Sequence, residues 1–267
     1  MGGPIHFLTF PFVSTYTSSM SQFQILTDAQ MDIAREGGKI LSGALETAAA
    51  AAREGVRTEE LDRLVEEYIR SRNGEPVFKG YHGYPASLCV SLNDECVHGI
   101  PGNRALRKGD VVGLDCGVKF RGLCTDACVT VAVGEVTGEQ GRLLAVTQAA
   151  LNKAVGMIRS GVRVGDISAC IQEEVEGQGF FCMRALTGHG LGADLHQFPD
   201  IPNLGEAETG PRIPAYTLLA IEPITSIGTR EIREGADGWT LHTADGSTSA
   251  HFEHTVLVLP EGAEVIA

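Results

Sequence analysis

The sequence predicts an α+β fold made of two similar halves, each a pair of helices followed by β-strands. The first observation is a repeat, because Arg53-Glu-Gly-Val-Arg57 returns 106 residues later as Arg159-Ser-Gly-Val-Arg163. At the same offset, apolar positions of one helix pair coincide with apolar positions of the other. Coincidence between two amphipathic helix pairs is the alternative, but the shared turn sequence favours an internal duplication. The second observation is a set of alternating apolar strand patterns that carry single acidic residues.

The helices follow from apolar spacing and from residues typical of helix ends. Thr27-Asp28 predicts the start of a helix that runs to about Arg53, and Gly55 ends it. We predict that Thr58 caps a second helix. The apolar stripe of the first helix is Ala34, Leu41, Leu45, Ala48 and Ala52. The second helix carries Leu61, Val65 and Ile69, and the matching positions of the repeat include Leu151, Ala154, Ile167, Ile171 and Val175.

Residues 24–267 are expected to form a single domain, with one half at about 24–135 and the other at about 136–260. Residues 1–23 differ in composition, since they contain no Lys or Arg. We expect this extension to lie outside the fold, and it lacks the charged start of a secretory signal.

Composition excludes several classes of function. A net charge of −13 argues against nucleic acid and against anionic membrane surfaces as direct partners. No apolar run approaches the roughly 20 residues of a membrane span. The seven cysteines are odd in number and form no Cys-x-x-Cys pair, which indicates free thiols and a cytoplasmic location.

Two β-rich runs, 111–118 and 123–133, flank a turn and predict a hairpin. With the turn centred between Phe120 and Arg121, Asp115 lies directly opposite Asp126, with Cβ atoms about 5 Å apart. Two like charges there need a shared proton or a metal ion between them. The third possibility is a shifted register with both carboxylates in solvent, and the sequence alone leaves these three open.

A duplicated chain should supply acids from its second half as well. Glu222 and Glu253 each interrupt an apolar run, and a hairpin around residues 235–246 would bring them together. His189 lies between glycines, a pattern that by itself fits a turn histidine. Four carboxylates and one imidazole suit Mn²⁺, Fe²⁺, Co²⁺ or Zn²⁺, and two divalent ions balance the four negative charges. Two such ions can hold a bridging hydroxide and polarise a carbonyl, which is hydrolase chemistry.

Several motifs occur in one order along the chain. They are Gly80-Tyr-His-Gly-Tyr-Pro85 with Cys89, Val97-His-Gly-Ile-Pro101, Leu114-Asp-Cys-Gly117, Thr125-Asp126, Gly188-His-Gly-Leu-Gly192, Ile221-Glu-Pro223, Asp237-Gly-Trp239 and Phe252-Glu-His-Thr255. With these motifs the chain resembles the type I methionine aminopeptidases over roughly residues 24–260. The resemblance implies the pita-bread fold shared with aminopeptidase P, prolidase and creatinase, with a helix pair packed on a curved antiparallel sheet in each pseudo-symmetric half.

The resemblance also implies roles for individual residues. The implied metal ligands are Asp115, Asp126, His189, Glu222 and Glu253, holding two divalent ions (Co, Mn, Fe or Zn) that Asp126 and Glu253 bridge. The implied catalytic residues are Glu222, which transfers a proton, and His98 and His196, which contact the substrate amide. The implied walls of the methionine pocket are Tyr81, Tyr84, Cys89 and Trp239.

At other positions the resemblance implies a role less strongly, or the residue differs from the one that is common in the family. Asn93 and Ser249 match positions near a monovalent cation site, although the neighbouring Glu95 is unusual there. Phe78 stands where small or sulfur-bearing residues are common, and Leu195 stands where an aromatic residue is common.

The function implied by the resemblance is removal of the initiator methionine from nascent proteins when the second residue is small, by attack of a metal-bridging hydroxide. The partners are then N-terminal methionyl peptides, close to the ribosome, and the protein is expected to be a monomer. One alternative is a proline-directed peptidase, against which the Gly80–Pro85 motif argues. The other is a non-catalytic binding protein, against which the complete ligand set argues.

Overall fold

The computed structural model describes residues 22–267. The predicted extension at residues 1–23 lies outside the described residues except for Gln22 and Phe23. Phe23 packs edge-to-face on Phe198, with ring centroids 4.9 Å apart, so it contacts the body of the protein.

Four α-helices occur as two pairs, as the repeat predicts. They are α1 (Asp28–Ala51), α2 (Thr58–Ser71), α3 (Gly138–Met157) and α4 (Val164–Gly177), with a short 3₁₀ turn at Tyr81–Gly83. The hydroxyl of Thr27 accepts the backbone N–H of Gln30 at the start of α1. The predicted cap at Thr58 is wrong, because Thr58 is the first helical residue and its hydroxyl donates to Gly102 O at 3.0 Å.

The strands all pair antiparallel and are short apart from one long hairpin. They are β1 (Glu75–Pro76), β2 (Cys89–Leu92), β3 (Glu95–Val97), β4 (Val111–Phe120), β5 (Leu123–Ala132), β6 (Phe181–Cys182), β7 (Thr187–Leu191), β8 (Gln197–Pro202), β9 (Leu218–Ile221), β10 (Ile224–Ser226), β11 (Ile232–Glu234), β12 (Leu241–Thr243), β13 (Ser249–His251), β14 (His254–Leu259) and β15 (Gly262–Val265). The sheets run β1-β4-β2 with β5 on β4, β15-β14-β9-β7-β8, β13-β10-β6 and β11-β12-β3.

Each helix pair packs on strands of its own half and closes a hydrophobic core. In the first half, α1 and α2 cover β2, β4 and β5 through Leu41, Leu61 and Ile69, which are fully buried. In the second half, α3 and α4 cover β9 and β14 through Leu151 and Ile171. A third cluster, which includes Phe78, Leu195 and Leu218, joins the two halves. The predicted α+β class with two helix-on-sheet halves is confirmed.

The repeated turn has the same local structure in both halves. Gly55 and Gly161 adopt φ of 86° and 88°, a left-handed conformation that favours glycine. The N–H of Gly55 donates to Leu106 O, and that of Gly161 donates to Ile213 O, both at 2.8 Å. These matching contacts support the internal duplication.

The register of the β4–β5 hairpin differs from the predicted one by two residues. Its turn is Arg121-Gly122, both at positive φ, so Asp115 pairs with Cys128 and Asp126 with Gly117. A two-residue turn of this kind needs positive φ at both positions, which Gly122 adopts readily. The predicted direct opposition of Asp115 and Asp126 is therefore wrong. The difference is an even number of residues, so both carboxylates still lie on one face, as diagonal neighbours.

The second pair of acids is brought together by strand pairing rather than by the predicted single hairpin. β9 pairs with β14 so that Ile221 lies opposite His254, which places Glu222 and Glu253 next to each other at the strand ends. The chain between Glu222 and Glu253 contains four strands, β10 to β13. The hairpin near residue 237 is formed by β11 and β12.

Among residues 22–267, no helix has the length and apolar character needed to cross a bilayer.

Close packing of α1 on the C-terminal segment predicts a stability effect. A Cβ atom at Gly38 would overlap the backbone and side chain of Ile266, whereas one at Gly141 in α3 would meet no atom within 4 Å. We expect Gly38→Ala to lower the free energy of unfolding by about 1–3 kcal/mol through overpacking. Gly141→Ala should raise it by about 0.5–1 kcal/mol through helix propensity. Urea unfolding of both variants tests this, and a neutral Gly38→Ala would contradict the close contact.

Candidate metal centre

A cavity of about 760 Å³, including its open mouth, lies between the two halves. Its lining contains all five side chains predicted as metal ligands, Asp115, Asp126, His189, Glu222 and Glu253. It also contains His98 and His196. The structure therefore brings the predicted ligands and both predicted catalytic histidines into one site.

The two halves are joined directly at the acids. Glu253 N–H donates to Cys128 O at 2.9 Å, in an isolated bridge between β5 and the start of β14. Next to it, the N–H of Asp126 donates to the hydroxyl of Thr255 at 2.8 Å, and this hydroxyl donates to Asp126 O at 2.6 Å. Asp126 and Glu253 are thus held side by side although they are 127 positions apart in the chain.

His189 enters the site from β7, where neighbouring glycines allow close strand packing. A side chain at Gly188 would overlap Ala220 O, and one at Gly190 would overlap Phe198 O. The Nδ1 atom of His189 lies 3.0 Å from Gly190 O, which can only accept, so Nδ1 carries the proton. The lone pair of Nε2 is left facing Glu222 Oε1 at 3.5 Å and Asp126 Oδ2 at 3.9 Å. This is the tautomer that a metal ligand requires.

The cluster is negatively charged and buried. Burial raises the pKa of Asp115 to about 7. Burial, followed by repulsion from neighbouring carboxylates, raises the pKa values of Asp126, Glu222 and Glu253 well above their usual range. Burial also lowers the pKa of His189 to about 4, so the imidazole is neutral. The cluster contains no cation of its own to balance the acids.

The donor set fits divalent metal ions. Within residues 22–267, the buried oxygens Asp115 Oδ1, Asp126 Oδ1 and Glu253 Oε1 have no hydrogen-bond partner. Ligand atoms of Asp126, His189 and Glu253 lie within 4.8 Å of one another. Buried acceptors without donors are costly unless a cation satisfies them.

The two predicted catalytic histidines lie beside this cluster. The ring of His196 is stacked at an angle on His189, with centroids 4.2 Å apart. The hydroxyl of Tyr81 is 2.9 Å from His196 Nδ1. Burial lowers the pKa of His98 to about 4 and that of His196 well below its usual range, so both imidazoles are neutral.

The four residues predicted to form the methionine pocket are not among the residues that line this cavity in the described part of the chain. They are Tyr81, Tyr84, Cys89 and Trp239. Tyr84 is buried, donates to Gly99 O at 2.9 Å and contacts Trp239 edge-on. Cys89 is buried beside Asp115 on β2. Their role in binding methionine stays a prediction.

Apolar side chains line the cavity directly. Phe78, at a position where the family commonly has small or sulfur-bearing residues, lies against Gly117, where a Cβ would come within 2.7 Å of its ring. Leu186, Ile224 and Leu241 add to this apolar surface. Leu195 is buried in the cluster that joins the halves.

The residues predicted near a monovalent cation site make hydrogen bonds within the protein. The carbonyl of Asn93 accepts the N–H of Ser249 at 2.7 Å. The carboxylate of the unusual Glu95 accepts two N–H groups of Arg104, at 2.8 and 2.7 Å. A bound monovalent ion stays a prediction.

His251 lines the cavity and was not assigned a role from the sequence. It lies on β13, and its buried Nε2 has no hydrogen-bond partner among the described residues. The sequence feature that points to His251 is its position two residues before Glu253. Alternation along a strand places residues two apart on one face, so His251 could have been linked to the acids.

Comparison with known proteins agrees with this geometry. A sequence model described as metallopeptidase family M24 matches residues 32–260. The chain belongs to metallopeptidase family M24. Its similarity to named members of the family is high over most of their length.

Three similar proteins illustrate the match. A methionine aminopeptidase of Clostridium perfringens is 41% identical over 237 residues, covering 89% of this chain and 95% of that protein. Methionine aminopeptidase 1 of Bacillus subtilis is 40% identical, covering 90% and 97%. The crystal structure of methionine aminopeptidase from Thermotoga maritima superposes with a TM-score of 0.91 at 41% identity, covering 92% and 99%. The expected resemblance is confirmed.

More distant solved structures share only the fold. A prolidase from Pyrococcus furiosus gives a TM-score of 0.73 at 20% identity, and this chain covers 64% of its length. The two chains therefore have the same pita-bread architecture. Membership of metallopeptidase family M24 agrees with the acidic cluster being a candidate site for divalent metal.

The raised acid pKa values predict that metal binding is coupled to proton release. Below these values the metal-free acids hold protons, whereas a bound cation requires them ionised. Metal affinity should therefore rise with pH until the pH exceeds the raised pKa values. At about pH 6 we expect roughly one proton or more to be released per protein, since the pKa of Asp115 alone is about 7. Calorimetry in buffers of different ionisation heat measures this number, and an affinity independent of pH between about 5.5 and 7.5 would contradict it.

Proposed function

We propose that this protein is a metal-dependent methionyl aminopeptidase that removes N-terminal methionine from nascent proteins when the second residue is small. The observation that carries the proposal is the convergence of Asp115, Asp126, His189, Glu222 and Glu253 in one buried cavity. The names of the relatives that match over most of the chain support the same activity.

The acids and His189 would hold the metal. Two divalent ions would neutralise four buried carboxylates, and this charge balance supports a dinuclear centre of Co, Mn, Fe or Zn ions. When bound, these ions would activate a water molecule and polarise the carbonyl of the first peptide bond. Asp126 and Glu253, held side by side across the two halves, would both help to hold these ions.

The chain's own residues would then move protons and bind the substrate. Glu222, whose side chain is only 11% exposed, would accept a proton from the attacking water and pass it to the departing amine. His98 and His196 are neutral and can donate a hydrogen bond to the oxygen that becomes negative. The apolar walls at Phe78, Leu186 and Leu241 suit an unbranched thioether side chain.

Further features of the proposal follow from the substrate. A nascent chain with its initiator methionine is found in the cytoplasm close to the ribosome, and we infer that location. All five predicted metal ligands come from one chain, so a monomer is sufficient for activity.

The activity assay uses short peptides. We expect Met-Ala-Ser to be cleaved after addition of Co²⁺ or Mn²⁺ and to resist cleavage after a chelator is added. His189→Ala should reduce the rate by at least about 100-fold because it removes the imidazole ligand. His242→Ala is the matched control, since His242 pairs with Asp94 and does not line the cavity of the described chain.

The same assay separates the alternatives. Cleavage of Ala-Pro peptides in preference to Met-Ala-Ser would indicate a proline-directed peptidase. Metal-loaded protein that cleaves neither peptide would contradict the proposed activity and favour a binding protein. A series that varies the residue after methionine measures the preference for small side chains.

The contact between Tyr81 and His196 predicts a positioning effect. The Tyr81 hydroxyl lies 2.9 Å from His196 Nδ1 and can set the orientation of this ring. We expect Tyr81→Phe to lower kcat for Met-Ala-Ser by about 10-fold with little change in KM. Tyr68→Phe on α2 is the control, because the Tyr68 ring packs on Arg72, whose Cζ lies 3.5 Å from the ring centroid. An equal loss in both variants would contradict a specific role for Tyr81.

A further inference from the structure

His251 is a buried side chain of the cavity to which no function has been assigned. It lies at the end of β13, opposite Ile224 of β10. Its N–H donates to the hydroxyl of Thr130 at 3.0 Å, and this hydroxyl donates back to the carbonyl of His251. The backbone is therefore fixed to the first half of the molecule, and the imidazole is held inside the site with 4% of its side chain exposed.

The ring nitrogen of His251 faces the acidic cluster. Its Nε2 lies 3.7 Å from Glu222 Oε2 and 3.8 Å from Glu253 Oε2. Hydrogen bonds between nitrogen and oxygen are about 2.7–3.2 Å long, so neither contact is a hydrogen bond. Within the described chain, this buried nitrogen has no hydrogen-bond partner.

These distances match those of co-ligands on one cation. Two donors that each lie about 2.1 Å from a shared ion are separated by about 3–4 Å. His189 Nε2, the predicted imidazole ligand, lies 3.5 and 3.9 Å from its two nearest carboxylate oxygens. His251 is thus placed relative to Glu222 and Glu253 much as His189 is placed relative to Glu222 and Asp126.

We propose that His251 Nε2 is a further protein donor to the metal centre, on the ion that Glu222 and Glu253 share. The centre then contains two imidazoles and four carboxylates. This inference rests on the proposed metal-dependent function and specifies its ligand set.

A second imidazole changes which metals the centre prefers. Carboxylate-rich sites suit Mn²⁺, whereas imidazole nitrogen favours later first-row ions such as Co²⁺ and Zn²⁺. His251 should therefore strengthen the binding of Co²⁺ more than that of Mn²⁺.

The test compares metal binding by the full-length protein and by His251→Gln. Dissociation constants for Co²⁺ and for Mn²⁺ are measured by competition with a chromogenic chelator. We expect His251→Gln to weaken Co²⁺ binding by at least about 10-fold and Mn²⁺ binding by less than about 3-fold. The visible absorption of bound Co²⁺ should also change, since a nitrogen donor is lost. His242→Gln is the matched control, because its imidazole pairs with Asp94 and it should leave both constants unchanged.

A measurement on the unmodified protein keeps the proposal testable should the variant fold poorly. In the Co²⁺-loaded protein, each metal-bound imidazole gives one paramagnetically shifted N–H resonance in the proton NMR spectrum. We expect two such resonances, assigned to His189 and His251. A single resonance, or equal Co²⁺ affinities of the protein and of a folded His251→Gln, would overturn the role of His251. If the unmodified protein binds neither ion, the metal centre itself is overturned, so the two failures are distinguishable.

Discussion

The seam between β5 and β14 is the constraint on which the site depends. Reciprocal backbone hydrogen bonds join Cys128 and Glu253, and the Thr255 hydroxyl both accepts from and donates to Asp126. These hydrogen bonds join the two halves through backbone groups and the Thr255 hydroxyl, and no charged side chain takes part in them. Because they fix the backbone on both sides, two acidic side chains stay adjacent in the interior although they repel each other. In each half, the helices and the other strands hold β5 or β14 in the position that these hydrogen bonds require.

The acids at the seam are unfavourable for the metal-free fold. Asp126 and Glu253 are both buried, the pKa of each is raised, and one carboxylate oxygen of each lacks a hydrogen-bond donor within the described chain. Structural carboxylates elsewhere have partners: Asp62 accepts the N–H groups of Ser87 and Leu88 at 2.8 and 2.9 Å. The contrast distinguishes an acid whose hydrogen bonds support the fold from acids whose buried oxygens are left available to a cation. The apolar cores of the two halves stabilise the fold and offset the cost of burying these acids.

Much of this architecture follows from sequence patterns, because helix periodicity and the repeated Gly-Val-Arg turn are local signals. Leu61, Val65 and Ile69 are buried as their spacing predicts. The predicted register of the β4–β5 hairpin is wrong because the turn was expected between the bulky residues Phe120 and Arg121. Positive φ at Gly122 centres the turn one position later. The pairing of Glu222 with Glu253 spans a connection of four strands, which no local pattern describes. His251 was missed for a similar reason, since its proximity to Glu222 arises from tertiary structure.

The distribution of the donors has a consequence for the origin of the site. Asp115 and Asp126 belong to the first half, and His189, Glu222 and Glu253 belong to the second. Neither half could assemble the centre by itself, and the cavity lies where the two meet. Two copies of a half-length ancestor, related by a two-fold axis, would form the same kind of cavity at their interface. Fusion of such copies into one chain would allow the two sides to diverge, one toward aspartates and the other toward glutamates and an imidazole.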